Sequence, residues 1–291
     1  MTGATYASIS VAVVLILVKV GAYLLTDSVA LLSTLIDSLL DAGASLVNLI
    51  AVRQALAPAD REHRFGHGKA EALAGLAQSA FIAGSAVFLV FEAGHRLFDP
   101  QPVHNGAIGI AVMAFSIVLT FALVLYQRMV VRTTRSVAIK ADALHYFGDL
   151  MVNASVMLSL FLGRELDWPL LDPLFAIAIV LYIAVSAWRV GQQSLDQLMD
   201  RELPDEARRR IREIALEHPG VVTLHDLRTR ASGRMLFIQL HLEMDANITL
   251  MRAHQIADSV EARLREAFPG SEVIIHEDPA GIPEPRAHFV G

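Results

Sequence analysis

Leu35-Ile36-Asp37-Ser38-Leu39-Leu40-Asp41-Ala42-Gly43 sets two carboxylates four residues apart in an otherwise apolar run. In a helix that spacing projects both from one face, one turn apart. A second run, His145-Tyr146-Phe147-Gly148-Asp149, carries an imidazole and a carboxylate at the same spacing, again near the start of a long apolar segment. Two such helices side by side would offer Asp37, Asp41, His145 and Asp149 to one point. Unpaired at membrane depth these groups would be costly, whereas three carboxylates and one imidazole are a donor set that tetrahedral Zn²⁺ accepts. The reading is an intramembrane metal site. A lone intramembrane Asp would read as helix-packing glue or as the lining of a water-filled cavity, but two matched pairs point to a ligand. Asn48 and Asn153, farther along the same helices, read as residues that bond a neighbouring helix.

The rest of the composition agrees with a membrane setting. Of the 291 residues, 54% are hydrophobic and 19% charged, and the mean hydropathy is +0.47. About 20 apolar residues cross about 30 Å of hydrocarbon as a helix. Six stretches meet that need: 8–25, 30–52, 70–93, 107–127, 138–162 and 170–188. Arg53, Arg61, Arg64 and Lys69 follow the second, and Arg128, Arg132, Arg135 and Lys140 follow the fourth. The opposite loops hold only Arg96 and Arg164, with no basic residue around Thr26-Asp27-Ser28. Positive charge marks the cytoplasmic side, so both termini are expected inside. Trp168 and Trp188 suit interfacial anchoring of the sixth span, and Lys19, within the first, is expected to snorkel to an interface. The first segment shows neither a basic leader nor a small-residue cleavage site, and is read as a retained helix.

A formal net charge of −6 argues against a nucleic-acid partner. The chain has no cysteine, which excludes a disulfide framework and a thiolate metal site. Nitrogen and oxygen must then hold any metal, which weakens Cu(I) and leaves Zn²⁺, Fe²⁺, Mn²⁺ and their neighbours.

Between the second and third spans, Asp60, His63 and His67 form a compact oxygen–nitrogen cluster. Three ligands on a flexible loop predict a weak or open metal site; the alternative is a solvated basic loop whose histidines only titrate.

After Arg201 the composition turns soluble, dividing the chain into a membrane domain, 1–200, and a second domain, 201–291. There the pattern predicts a helix over 204–217, strands over 221–230 and 235–244 joined by a Ser-Gly turn, a helix over 250–267 and a strand over 272–276. That αββαβ order predicts a small α+β sandwich with helices on one sheet face. In the second strand Leu236, Ile238, Leu240 and Leu242 alternate with Phe237, Gln239, His241 and Glu243, so His241 faces away from the core. His225, His241, His254, His276, Glu277 and Asp278 are dense enough to read as a regulatory metal site. His95, His104, His218 and His288 have no evident partners.

These segments carry a resemblance. Asp37-xxx-Asp41, Phe65-Gly66-His67-Gly68-Lys69-Ala70-Glu71, Ala141-Asp142-Ala143-Leu144-His145-xxx-Asp149, His225-Asp226-Leu227-Arg228-Thr229-Arg230 and Ile274-Ile275-His276-Glu277-Asp278-Pro279 together resemble the cation diffusion facilitators, in their bacterial zinc and ferrous-iron efflux branch. The resemblance covers nearly the whole chain. It implies six transmembrane helices, a metallochaperone-like cytoplasmic fold and a homodimer. It also implies efflux of Zn²⁺ across the bacterial inner membrane against protons, with Fe²⁺, Cd²⁺ or Mn²⁺ as alternative substrates. Asp37, Asp41, His145 and Asp149 would be the transport site, and Asp60, His63 and His67 the loop site. In a binuclear cytoplasmic site, Asp278 would bridge ions held by His225, His241, His254 and His276. Two positions depart from the family pattern: Gly148 stands where a serine is common, and Glu277 where a glutamine is. Two rivals remain. One is a membrane-bound zinc sensor. The other is an intramembrane metalloenzyme, for which the chain lacks both a His-Glu-x-x-His helix and a spare acid beside the four ligands. A transporter, not an enzyme, is the expectation.

Overall fold

The computed structural model describes residues 1–26, 29–98, 107–166 and 171–282. Asp27, His104, Trp168 and His288 lie outside them, as do the side chains of His95, Arg96 and Arg164. The chain divides into two compact units, Met1–Leu195 and Asp196–Gly291. The division falls in the last turn of a helix, slightly before the expected residue 200.

The first unit is helical: α1 Thr2–Thr26, α2 Val29–Ala55, α3 Lys69–Phe98, α4 Ala107–Thr134, α5 Val137–Leu166 and α6 Leu171–Leu198. Among the described residues, four stretches are long and apolar enough to cross a membrane: Thr2–Thr26, Thr34–Ala55, Lys69–Phe91 and Ile108–Thr134. α5 and α6 have 30 and 28 residues, enough for about 40 Å of helix at a rise of 1.5 Å per residue. α5 dilutes its apolar character with Lys140, Asp142, His145 and Asp149. Leu17, Leu24, Phe88, Phe91 and Val118 stand exposed on the unit's outside, a surface suited to lipid and not to water.

Several helices overrun the apolar stretches that predict them, α4 to Thr134 and α6 to Leu198. Hydropathy measures what fits in hydrocarbon, whereas the hydrogen-bond ladder continues into water until something stops it. After α4 the stop is visible. Arg135 takes a positive φ of 54° and donates its N–H to Val131 O at 2.8 Å, a left-handed C-terminal cap. Ser136 Oγ then accepts the Ile139 N–H at 3.2 Å and opens α5.

α1 packs on α2 and α4, and α5 on α3 and α4. Small residues let α3 and α6 approach closely: a Cβ on Gly75 would stand 2.7 Å from Ser194 Oγ, and one on Gly191 3.0 Å from Ser79 Oγ. A Cβ on Gly148 would meet Ile183 Cδ1 at 3.1 Å, so where the family pattern has serine this chain uses the space for α6. Lys19 departs from its predicted snorkelling. Its Nζ turns inward and donates to Thr34 O at 3.0 Å and Ser38 Oγ at 2.7 Å on α2, because these acceptors satisfy the ammonium without a route to the interface.

The second unit contains α7 Asp205–Leu216, β1 Thr223–Ser232, β2 Met235–Met244, α8 Leu250–Ala267 and β3 Ser271–Pro279. β2 is central, antiparallel to β1 and parallel to β3. One sheet face buries Ile238, Leu240, Leu242 and Val273 against Ile211, Ile214, Ile256, Val260 and Leu264 of the helices. Thr249 caps α8 by accepting the Arg252 N–H. β3 continues past its expected end, pairing Glu277, Asp278 and Pro279 with Leu242, Glu243 and Met244; the register of β2 holds these polar residues in the sheet. His218, without a partner in the sequence reading, accepts the Gly220 N–H on Nδ1 at 3.1 Å.

Candidate metal centres

Among the described residues, three groups of carboxylates and imidazoles have ligand atoms converging within 4.8 Å: Asp41, His145 and Asp149; Asp60, His63 and His67; His225, His241 and Asp278.

The first lies between α2 and α5. His145 Nε2 is 3.0 Å from Asp41 Oδ1 and 3.8 Å from Asp149 Oδ2. Phe81, edge-on at 5.9 Å, and Tyr146 flank the imidazole. Asp149 Oδ2 is buried and makes no hydrogen bond, a lone pair aimed at the place a cation would fill. Asp37, one turn earlier on α2, is outside this group of three.

One turn before His145 stands a residue to which the sequence reading gave no role. Asp142, 1% exposed, accepts from Ser8 Oγ at 2.6 Å, Gln127 Nε2 at 2.7 Å and Ser45 Oγ at 3.5 Å. Ser45 also bonds the Tyr146 hydroxyl at 2.9 Å. The side chain is thus satisfied by donors from α1, α2 and α4, as a buried polar group requires, and the network fixes the rotation of α5 that presents His145. A polar residue at i−3 from a ligand was the available signal.

In the loop, His63 Nδ1 lies 3.4 Å from Asp60 Oδ1, and His67 Nε2 lies 3.3 Å from Asp60 Oδ2. The segment is less free than the sequence suggests. Asp60 Oδ1 accepts the backbone N–H groups of His63, at 2.6 Å, and Glu62, at 2.9 Å, an Asx turn. Gly66, at φ 75°, lets its N–H return to His63 O at 2.9 Å and brings His67 over Asp60. The His63 N–H bond is the main cause holding the Asp60 carboxyl below its ordinary range. A lowered carboxyl pKa contributes above the ordinary value and is lost only as pH falls through the lower, folded one. Asp60 therefore stays charged through the range in which imidazoles compete with protons for metal. If this loop holds zinc, Asp60→Asn should weaken the binding at least about tenfold. A zinc titration of the full chain checks it, and undiminished binding would show that Asp60 is not a ligand.

The third group rests on strand register. His225 pairs with His241, and His241 with His276, so three imidazoles occupy one rung of the sheet. Two residues on, Glu243 pairs with Asp278 on the same face. Asp278, 4% exposed, is the hub: Oδ2 lies 2.8 Å from His241 Nδ1 and 3.4 Å from His225 Nε2, and Oδ1 lies 3.0 Å from His276 Nε2. Asp278 Oδ1 and His225 Nδ1 are buried without a well-formed hydrogen bond. His241 Nδ1 and Asp278 Oδ2 share a hydrogen bond at 2.8 Å, the two unpartnered atoms beside them fit a shared cation, and the donor set suits Zn²⁺. A bulge sets the rung, with a register shift between His225 and Arg228 and Asp226 at φ 48°. Glu243, which the sequence reading placed on the outer face without a function, lies 3.1 Å from His225 Nδ1, positioned to orient that ring. His254 is not brought into the group. It stands on α8 beside Asp258, at 3.4 Å, and Glu277, at 4.0 Å.

Comparison with known proteins bears on both units. Residues 5–199 match the cation efflux transmembrane domain, and residues 203–280 match the cytoplasmic domain of cation efflux proteins. The chain is 48% identical over 279 residues to the cation-efflux pump FieF of Shewanella oneidensis, covering 96% of this chain and 94% of that one. It is 49% identical over 284 residues to FieF of Serratia proteamaculans, covering 97% and 94%. Among solved structures, the zinc form of CzrB aligns at 34% identity over 30% of this chain and 99% of its own, with a TM-score of 0.28.

Proposed function

The chain belongs to the cation efflux family, and from that premise we propose that it exports divalent metal, Zn²⁺ first among the candidates, from the cytoplasm in exchange for protons. The observation that carries this reading is the approach of Asp41, His145 and Asp149 between two long helices of the membrane unit. Asp37 would complete a four-ligand set by a small rotation or shift of α2. Ligands must shed protons to take metal, so loading the site expels protons and unloading readmits them. Alternating access about that site, with helices moving as a body, would let an inward proton gradient drive metal outward. The positive charge after α2 and α4 supports an inner-membrane orientation with both termini cytoplasmic. The group around Asp278 is proposed as a resident zinc site that regulates a homodimer; its residues would hold the ion, and zinc there would supply charge neutralisation.

The test is metal flux into proteoliposomes of the full chain, with Zn²⁺, Fe²⁺, Cd²⁺ and Mn²⁺, with and without a pH gradient. Flux that ignores the gradient would defeat the antiport reading, and an absence of flux with intact zinc binding would favour a sensor. In the same assay His145→Asp should narrow the preference for Zn²⁺ over Mn²⁺, since His145 supplies the only nitrogen of the proposed set and imidazole favours borderline ions. Unchanged selectivity would mean that geometry and not ligand type sets it.

A further inference from the structure

Lined by none of the candidate metal ligands, an open cavity of about 410 Å³ lies between α4, α5 and α6, within the range of roughly 300–1,000 Å³ typical of small-molecule sites. Four cations line it: Arg128 and Arg132 from the last turns of α4, Lys140 from the first turn of α5, and Arg189 from α6. Among the described residues no carboxylate lines it, and none of the four forms an ion pair with an acid. Its other walls are mostly apolar or aromatic, with Val131, Leu144, Phe147, Tyr182 and Val190, and include the polar Ser186. The Arg128 guanidinium lies 4.6 Å over the Phe147 ring, and Lys140 Nζ donates to Gln193 Oε1 at 2.7 Å on α6. Two of the cations are thereby held in place and the other two are left with donors to spare.

Four uncompensated charges would repel a divalent cation, so this opening is not a route for metal. Cationic heads at helix ends above apolar walls are complementary to an amphipathic anion, with a phosphate among the heads and an acyl chain against Leu144, Phe147 and Tyr182. Basic pockets between helices at the positively charged membrane face take such headgroups. We infer that the cavity between α4, α5 and α6 binds the headgroup of an anionic phospholipid. The lipid would bridge Arg128 and Arg132 of α4 to Arg189 of α6, helices that are otherwise separated at this level by the cavity itself.

The experiment uses the purified full-length protein in detergent and native mass spectrometry, titrating phosphatidylglycerol, phosphatidylcholine and, as a separate arm, inorganic phosphate. Phosphatidylglycerol should be retained in preference to phosphatidylcholine. Each cavity charge removed should weaken it about fivefold, so Arg132→Gln by about that factor and Arg128→Gln with Arg189→Gln by about twenty-five-fold. Arg53→Gln, at the end of α2 and outside the cavity, should leave retention unchanged. All these positions are exposed, and Arg132→Gln alone tests the charge if the double variant fails to fold. Equal retention of the two lipids overturns the inference, as does undiminished retention by Arg132→Gln and the double variant. Displacement of phosphatidylglycerol by inorganic phosphate alone would assign the cavity to a soluble anion and also overturn it.

Discussion

Asp41→Ala should lower zinc flux through proteoliposomes at least about 100-fold, because removing a direct ligand costs no less than the upper end of the 10–100-fold seen for residues that only orient one. Asp41 Oδ1 is the ligand atom nearest His145 Nε2, at 3.0 Å. Truncation leaves His145 and Asp149 with 3.8 Å between them and the proposed four-ligand set one carboxylate short. α2 also packs against α1 and α3, so the variant should insert and elute as the parent does. Asp41→Asn, which keeps shape and loses charge, should fall in the same direction. Near-normal zinc transport by either variant, with normal insertion, would show that the converging trio does not carry the ion.

Asp278→Ala should lower the stabilisation that zinc confers on the parent by the share that this group supplies. A ligand at one hundred times its Kd adds about 2.7 kcal/mol to a folded state that alone binds it. The difference in melting with and without zinc, measured on the full chain, reads that increment directly. Asp278 touches three imidazoles through both oxygens, so no other side chain of the group can take its place. Asp278→Asn keeps the shape of the side chain and removes its charge, and should also lose that share. Flux at saturating zinc should survive both substitutions if this group regulates. Its complete loss would put these residues on the transport path, and an undiminished zinc increment would show that the ion binds elsewhere.

Single helices and strands were legible because their signals are local. The spacing of Asp37 and Asp41 and the alternation of Leu236 to Glu243 depend only on 3.6 and 2.0 residues per repeat, and α8 was readable over its full span, 250–267. Lys19 was misread because its acceptors, Thr34 O and Ser38 Oγ, belong to another helix. β3 was cut short for a similar reason: Glu277 and Asp278 look like a strand end until β2 is laid beside them.

Sequence alone therefore determined the membrane character, the two-part organisation, the helix faces that carry Asp41, His145 and Asp149, and the outward face of His241. Tertiary structure decided which of those faces meet. Asp41 and His145 are 104 positions apart, and their approach depends on the rotation of α2 against α5. That rotation is set by packing and by the buried bonds of Asp142 to Ser8, Gln127 and Ser45. The rung of His225, His241 and His276 likewise depends on a bulge near Asp226 and on parallel pairing across α8. A shift of one residue in either pairing would send an imidazole to the opposite face. Periodicity fixes the direction of a side chain about its own axis, and only the packing of distant segments fixes one axis against another.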